Sequence, residues 1–164
     1  MKKLLCLLLV FLMAFGMVGC GNSDSTDGQV SNEDTTPTFR SVIEFDELEI
    51  TFGEAVEYES VSNQFADLNG SEVVKVPITV KNIGSEVNGL NMFYVTEYGS
   101  KGVALEGVSA YFDDDIRWVA GSDSLRPDAS TSAFMYFLYD GDGDYYISFD
   151  NWSEKIEVKL PISK

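Results

Sequence analysis

Residues 72–82 read EVVKVPITVKN, and this stretch limits the possible folds more than any other. Val74, Val76, Ile78 and Val80 alternate with Lys75, Pro77, Thr79 and Lys81. Side chains on a strand point to opposite faces in turn, so the aliphatics share one face and the polar set the other. That is the pattern of a half-buried strand. Pro77 brings no N–H to a ladder, which predicts an edge or a bulge at that position.

The same alternation returns at Leu48, Ile50 and Phe52, at Tyr145, Ile147 and Phe149, and at Ile156, Val158, Leu160 and Ile162. Further strands are predicted at 90–98, 103–105 and 116–119, the last with Trp118 in the core. Residues 132–139 (SAFMYFLY) are apolar on both faces, which suggests an interior strand. Asp140–Asp144 (DGDGD) reads as the tight turn of a hairpin joining that strand to 145–149. No stretch keeps an apolar period of 3.6. Seven or eight short strands separated by turn signals predict an all-β fold, an antiparallel Ig-like β-sandwich. "Ig-like" describes the layout, since there is no Cys…Trp…Cys signature.

The chain opens MKKLLCLLLVFLMAFGMVGC. Two lysines precede an apolar run that is short for a membrane span, with small residues after it, as in a secretory signal peptide. Met17, Val18, Gly19 and Cys20 resemble the lipobox of bacterial lipoproteins, with Met17 standing where leucine is usual. The resemblance implies cleavage before Cys20, lipid on its sulfur and attachment to the bacterial cell membrane, facing the extracytoplasmic side. Cys6 would leave with the signal peptide, so no thiol remains for a disulfide, a nucleophile or a metal. Residues 21–38 are rich in Ser, Thr, Asp, Asn and Gly, with Val30 the single aliphatic. Such a segment cannot bury enough surface to order itself, and as a flexible tether it reaches roughly 20–25 Å. The expected organisation is a signal peptide at 1–19, the lipidated cysteine and tether at 20–39, and the sandwich domain at 40–164. Removal of residues 1–19 takes away Lys2 and Lys3 and no acid, so the net charge falls from −16 to −18. A chain this acidic is repelled by nucleic acid and suits solubility outside the cell.

Three pieces carry a family resemblance. They are Val76-Pro-Ile-Thr-Val-Lys-Asn-Ile-Gly84, Leu125-Arg-Pro-Asp-Ala-Ser130 leading into Ala133–Phe137, and Tyr145-Tyr-Ile-Ser-Phe149 followed by Lys155–Leu160. In that order they resemble the Ig-like domains of unknown function on Gram-positive surface lipoproteins, similar in fold to the immunoprotective extracellular protein. The resemblance implies a sandwich on a lipid anchor and no catalytic residues. Asp128 stands where the family has glycine, and aspartate tolerates the left-handed backbone better than most residues.

The chain has no histidine, which removes the commonest general base, the Ser-His-Asp and Cys-His mechanisms and most zinc sites. Asp140, Asp142 and Asp144 resemble the first half of a calcium loop, but Tyr145 and Asn151 stand where an EF-hand needs glycine and glutamate. A hairpin made of good turn formers is the other reading. Aromatic residues are plentiful, and Trp152, in a turn beside Asp150 and Asn151, is the candidate for an exposed contact. The expected function is a non-enzymatic binding module for an unknown protein or small ligand. The alternatives are a calcium- or glycan-binding accessory module and a hydrolase with a carboxylate pair.

Overall fold

The computed structural model of the chain describes residues 35–164; the segments expected to be signal peptide and tether, up to residue 34 and with Cys20, lie outside them. β1 (Val42–Phe45), β2 (Leu48–Phe52), β3 (Glu57–Ser60), β4 (Glu72–Asn82) and β6 (Ser130–Leu138) form one sheet. β5 (Val95–Tyr98), β7 (Gly143–Asp150) and β8 (Lys155–Ile162) form the other. All pairings between these strands are antiparallel, and the two sheets make the β-sandwich the alternation predicts.

β4 is the axis of the larger sheet. Along one side it pairs with β6, Val76 opposite Met135. Along the other it meets β3 and then β2, with Tyr58 opposite Val74 and Ile50 opposite Val80. Pro77 lies in the middle of the sheet, where β2 has ended and β3 has not begun. Its carbonyl accepts from the Gly53 N–H at 2.7 Å. The N and O of one strand residue point the same way, so the N–H that proline lacks would have faced this break, and no ladder bond is lost.

Val74, Val76, Ile78 and Val80 turn inward, as do Ile147, Phe149, Val158 and Leu160 from the smaller sheet. Phe149 bridges the layers, 5.6 Å from the ring of Phe45 and 6.4 Å from that of Phe52. Each such buried ring contributes roughly 1.5–3 kcal/mol. Phe39 packs against this core, and the Pro37 carbonyl accepts from Lys159 N–H at the edge of β8.

Several local expectations change. β6 is apolar on both faces, yet it is not interior: beyond it lies a single parallel bridge, Asp115 to Phe134. Its outer face is covered by loops, where Tyr136 and Val73 pack with Val61 and Val108. β6 and β7 belong to different sheets, so residues 140–142 cross the sandwich instead of closing a hairpin. Gly141 and Gly143 have φ of 128° and 148°, and a Cβ on Gly143 would stand 2.9 Å from Ser100 Cβ. Residues 90–94 leave the sheet, with a 3-10 turn at Met92–Tyr94, and 103–105 contribute one bridge, Tyr98 to Ala104. Ile116–Val119 is a single helical turn, α1, because the Asp115 carboxylate caps it by accepting from Arg117 N–H at 2.9 Å. β1 is an addition. Its turn at Asp46 and Glu47 has φ of 50° and 59° without the Asn-Gly or Asp-Gly pair that signals such turns. Asp128 is left-handed, φ 62°, as expected of a glycine replacement. Among the described residues no helix is long and apolar enough to cross a membrane.

Candidate functional site

Asp115 and Arg117 bracket the start of α1, and Glu97 faces them from β5. All three are buried. The Arg117 guanidinium grips Asp115 with two parallel bonds, Nε to Oδ1 at 2.9 Å and Nη2 to Oδ2 at 2.8 Å. Nη2 also donates to the Tyr136 carbonyl at 2.9 Å, and Nη1 donates to the Glu97 carboxylate. Two anions thus share one cation. Burial pushes Glu97 above the ordinary carboxylate range, outweighing the pull of Arg117, and the charge of Asp115 adds to the rise. Burial works against the Arg117 charge, but its bonds to Asp115 and the two carboxylate charges outweigh that and hold it above its ordinary value.

Arg117 and Glu97 of this triad reach a surface that carries exposed aromatic rings. Met92, Phe93 and Arg117 are shared walls of two grooves of about 320 and 310 Å³. Glu97, Leu105 and Ser109 complete the first; Leu90, Trp118 and Ser124 complete the second. Phe93 is 88% exposed and Trp118 51%. Neither is on a slack loop. Asn91 Oδ1 accepts from Phe93 N–H at 3.0 Å, and the Trp118 indole N–H donates to the Ser109 carbonyl at 2.7 Å.

Trp152 stands at the same end of the smaller sheet, since Val95 pairs with Phe149. It is 95% exposed, and its φ is 69°. A bulky residue in that conformation carries a strain of about 1–2 kcal/mol. Asp150 Oδ1 accepts from Trp152 N–H, and Asn151 Oδ1 accepts from the N–H groups of Ser153 and Glu154, so the turn is tied down on both sides of the ring.

The three aspartates of the crossing loop point to different partners. Asp140 Oδ1 accepts from Ser100 N–H at 2.9 Å. Burial would raise Asp140, but this bond and hydrogen bonding with Tyr145 and Ser100 hold it below its ordinary value. Asp142 Oδ1 accepts from the Tyr139 hydroxyl at 2.6 Å and from Lys164 N–H at 2.9 Å, which lowers it. The same bond pushes Tyr139 up to about 12. Asp144 is exposed on β7 opposite Pro161. Among the described residues, no three His, Cys, Asp or Glu side chains are grouped to hold a metal. Cys20 lies outside the described residues.

The exposure of Trp152 was legible in the sequence; that of Phe93 and Trp118 was not. The alternation at 90–98 and the apolar run at 116–119 both read as strand. The contrary signals were the two caps, Asn91 before Met92 and Asp115 before Ile116.

No family profile and no curated protein sequence matches the chain. Solved structures do. The yjhA protein from Bacillus subtilis is similar with a TM-score of 0.57 at 12% identity, over 76% of this chain and 99% of that one. The ycdA protein from Bacillus subtilis subsp. subtilis str. 168, provisionally called a lipoprotein, is similar with a TM-score of 0.54 at 15% identity. That match covers 73% of this chain and 38% of the other, so this chain spans well under half of the ycdA length. At such identities the likeness establishes the fold and leaves function open.

Proposed function

We propose that the chain is a lipid-anchored, extracytoplasmic, non-enzymatic docking module of the Ig-like kind found on Gram-positive surface lipoproteins. It is held to the membrane through Cys20, and its aromatic face engages a protein partner. The signal peptide, the lipobox and the polar tether support the anchor. The carrying observation for docking is that Phe93, Trp118 and Trp152 are all held outward by hydrogen-bonded turns, one of them in a strained backbone. Exposed aromatics fixed before binding lose little freedom on association, which is what interface anchors require.

Charge narrows the partner. Glu106 is exposed between the groove residues Leu105 and Gly107, and Asp123 is exposed between Ser122 and Ser124. Among the described residues the one cation lining the two grooves, Arg117, is committed to two carboxylates. The complementary partner is a protein segment with an apolar anchor flanked by lysine or arginine.

The test places a photo-crosslinking phenylalanine analogue at position 93 in intact cells, with position 65 as a control on another surface. The reading expects one protein adduct at 93 and none at 65. Binding of that protein, once purified, to the full chain should weaken about tenfold with Phe93→Ser and at about 0.5 M salt. No adduct at 93, equal adducts at both positions, or binding indifferent to F93S and to salt overturns it.

A further inference from the structure

The loop between β3 and β4 makes another groove, which adjoins the docking face at the 3-10 turn Ser109–Tyr111 but shares no lining residue with it. Its neck is closed by Val61 N–H to Ser71 O at 2.9 Å and Gly70 N–H to Val61 O at 2.8 Å. Inside it, Asn69 Oδ1 accepts from Asn63 N–H at 3.1 Å, and Asn63 Oδ1 accepts from Phe65 N–H at 3.0 Å. Ala66 and Leu68 turn inward onto the cluster of Val61, Val73, Val108 and Tyr136. That leaves Phe65 pointing out, 89% exposed, on a loop tied by the N–H groups of Asn63, Phe65, Ala66, Asn69, Gly70 and Ser71. Tyr111, on the 3-10 turn Ser109–Tyr111, supplies a second ring on the groove wall.

The groove measures about 570 Å³, within the range of about 300–1,000 Å³ usual for ligand sites. Its wall is made of Ser62, Asn63, Gln64, Phe65, Asn69 and Tyr111 with Ala110, and contains no charged residue. On a chain with 27 acids and 11 bases, such a wall is a selective feature. An anion would find no counter-charge in it and would meet the exposed Asp67 of the same loop, and a purely apolar ligand would leave its amides facing carbon. The side-chain oxygens of Asn63 and Asn69 are used within the loop, and their amide N–H groups make no hydrogen bond among the described residues.

We propose that this groove binds a neutral carbohydrate. A pyranose ring has an apolar C–H face and a rim of hydroxyls that both donate and accept. Phe65 and Tyr111 match the face, while Ser62, Asn63, Gln64 and Asn69 match the rim, since hydroxyl and amide groups also do both. No proton transfer or bond cleavage is involved; the site holds its ligand and does not process it.

The experiment uses the full chain in a detergent without a sugar headgroup. Maltotetraose, cellotetraose, mannotetraose and chitotetraose are the neutral probes, with tetragalacturonate as the anionic one. Binding is read by saturation-transfer NMR and calorimetry. At least one neutral probe should bind and the anionic probe should not. Phe65→Ser and Gln64→Ala should each weaken binding about tenfold, while Phe93→Ser leaves it unchanged. Both substituted positions are exposed, so the melting temperature should hold. The proposal is overturned if no neutral probe binds, if tetragalacturonate binds as well as they do, or if F65S and Q64A bind like the parent.

Discussion

Arg117 carries the charge that lets two carboxylates stay inside this fold. Removing it with Arg117→Met leaves Glu97 and Asp115 buried without their cation, at a cost of about 3–5 kcal/mol in urea unfolding. Glu97→Gln should do the reverse at neutral pH. The folded state holds the Glu97 proton more tightly than the unfolded chain, so its stabilising share is present below the unfolded value and is lost as pH rises through the folded one. A glutamine keeps an oxygen for Arg117 and carries no charge. E97Q should therefore gain about 1 kcal/mol at pH 7, and that gain should shrink toward pH 4. Trp152 makes the other residue-scale prediction. Trp152→Gly relieves the left-handed backbone and should raise stability by about 1 kcal/mol, while Trp152→Ala keeps the strain and gains nothing. Both should weaken the docked partner, measured on the same samples. A variant that is more stable and binds less well is what a strained functional residue produces.

The element that changed most between sequence and structure is the crossing loop at 140–142. Its glycines and aspartates look the same whether they close a hairpin or carry the chain to another sheet. What separates the cases is the partner of each flanking strand, and that lies far off in sequence: Val76 for Met135, Val158 for Ile147. The loop's anchors make it sensitive to acid. Asp140 and Asp142 are both lower in the folded state than unfolded, so their contribution is present above the unfolded value and is lost as pH falls through the folded one. The protection of the Ser100 and Lys164 amides, taken relative to the intrinsic exchange rate at each pH, should fall below about pH 4, while β4 and β6 stay protected. Calcium would have to displace these same bonds. Equal melting temperatures in calcium and in chelator are therefore expected, and a higher one in calcium would support the metal reading.

At the scale of the whole molecule, charge and layering decide behaviour. Residues 40–164 hold 9 of the 11 bases and 23 of the 27 acids, and a net charge of 9 − 23 = −14 on one small domain repels itself, so the melting temperature should rise as salt goes from about 0.05 to 0.5 M while partner affinity falls. Both curves can be followed in one titration series by calorimetry and binding. A melting temperature that falls with salt would mean that surface pairs such as Arg40–Glu54 outweigh the repulsion. The opposite signs arise because folding gathers like charges, whereas docking brings unlike ones together.

Read alone, the amino-acid order determined the all-β class, the inward faces of β2, β4, β7 and β8, the left-handed tolerance at Asp128 and the exposure of Trp152. Those properties follow from period-two alternation and from turn chemistry, which act over a few residues. Tertiary structure decided the rest. It put Pro77 beside a gap in the opposing strand, covered the outer face of β6 with distant loops, and turned Ile116–Val119 into a capped helical turn. It also turned Phe93 and Trp118 outward and set Glu97 against Arg117. Each of these depends on which surfaces meet, and an apolar side chain reads the same in sequence whether it faces a core or a partner.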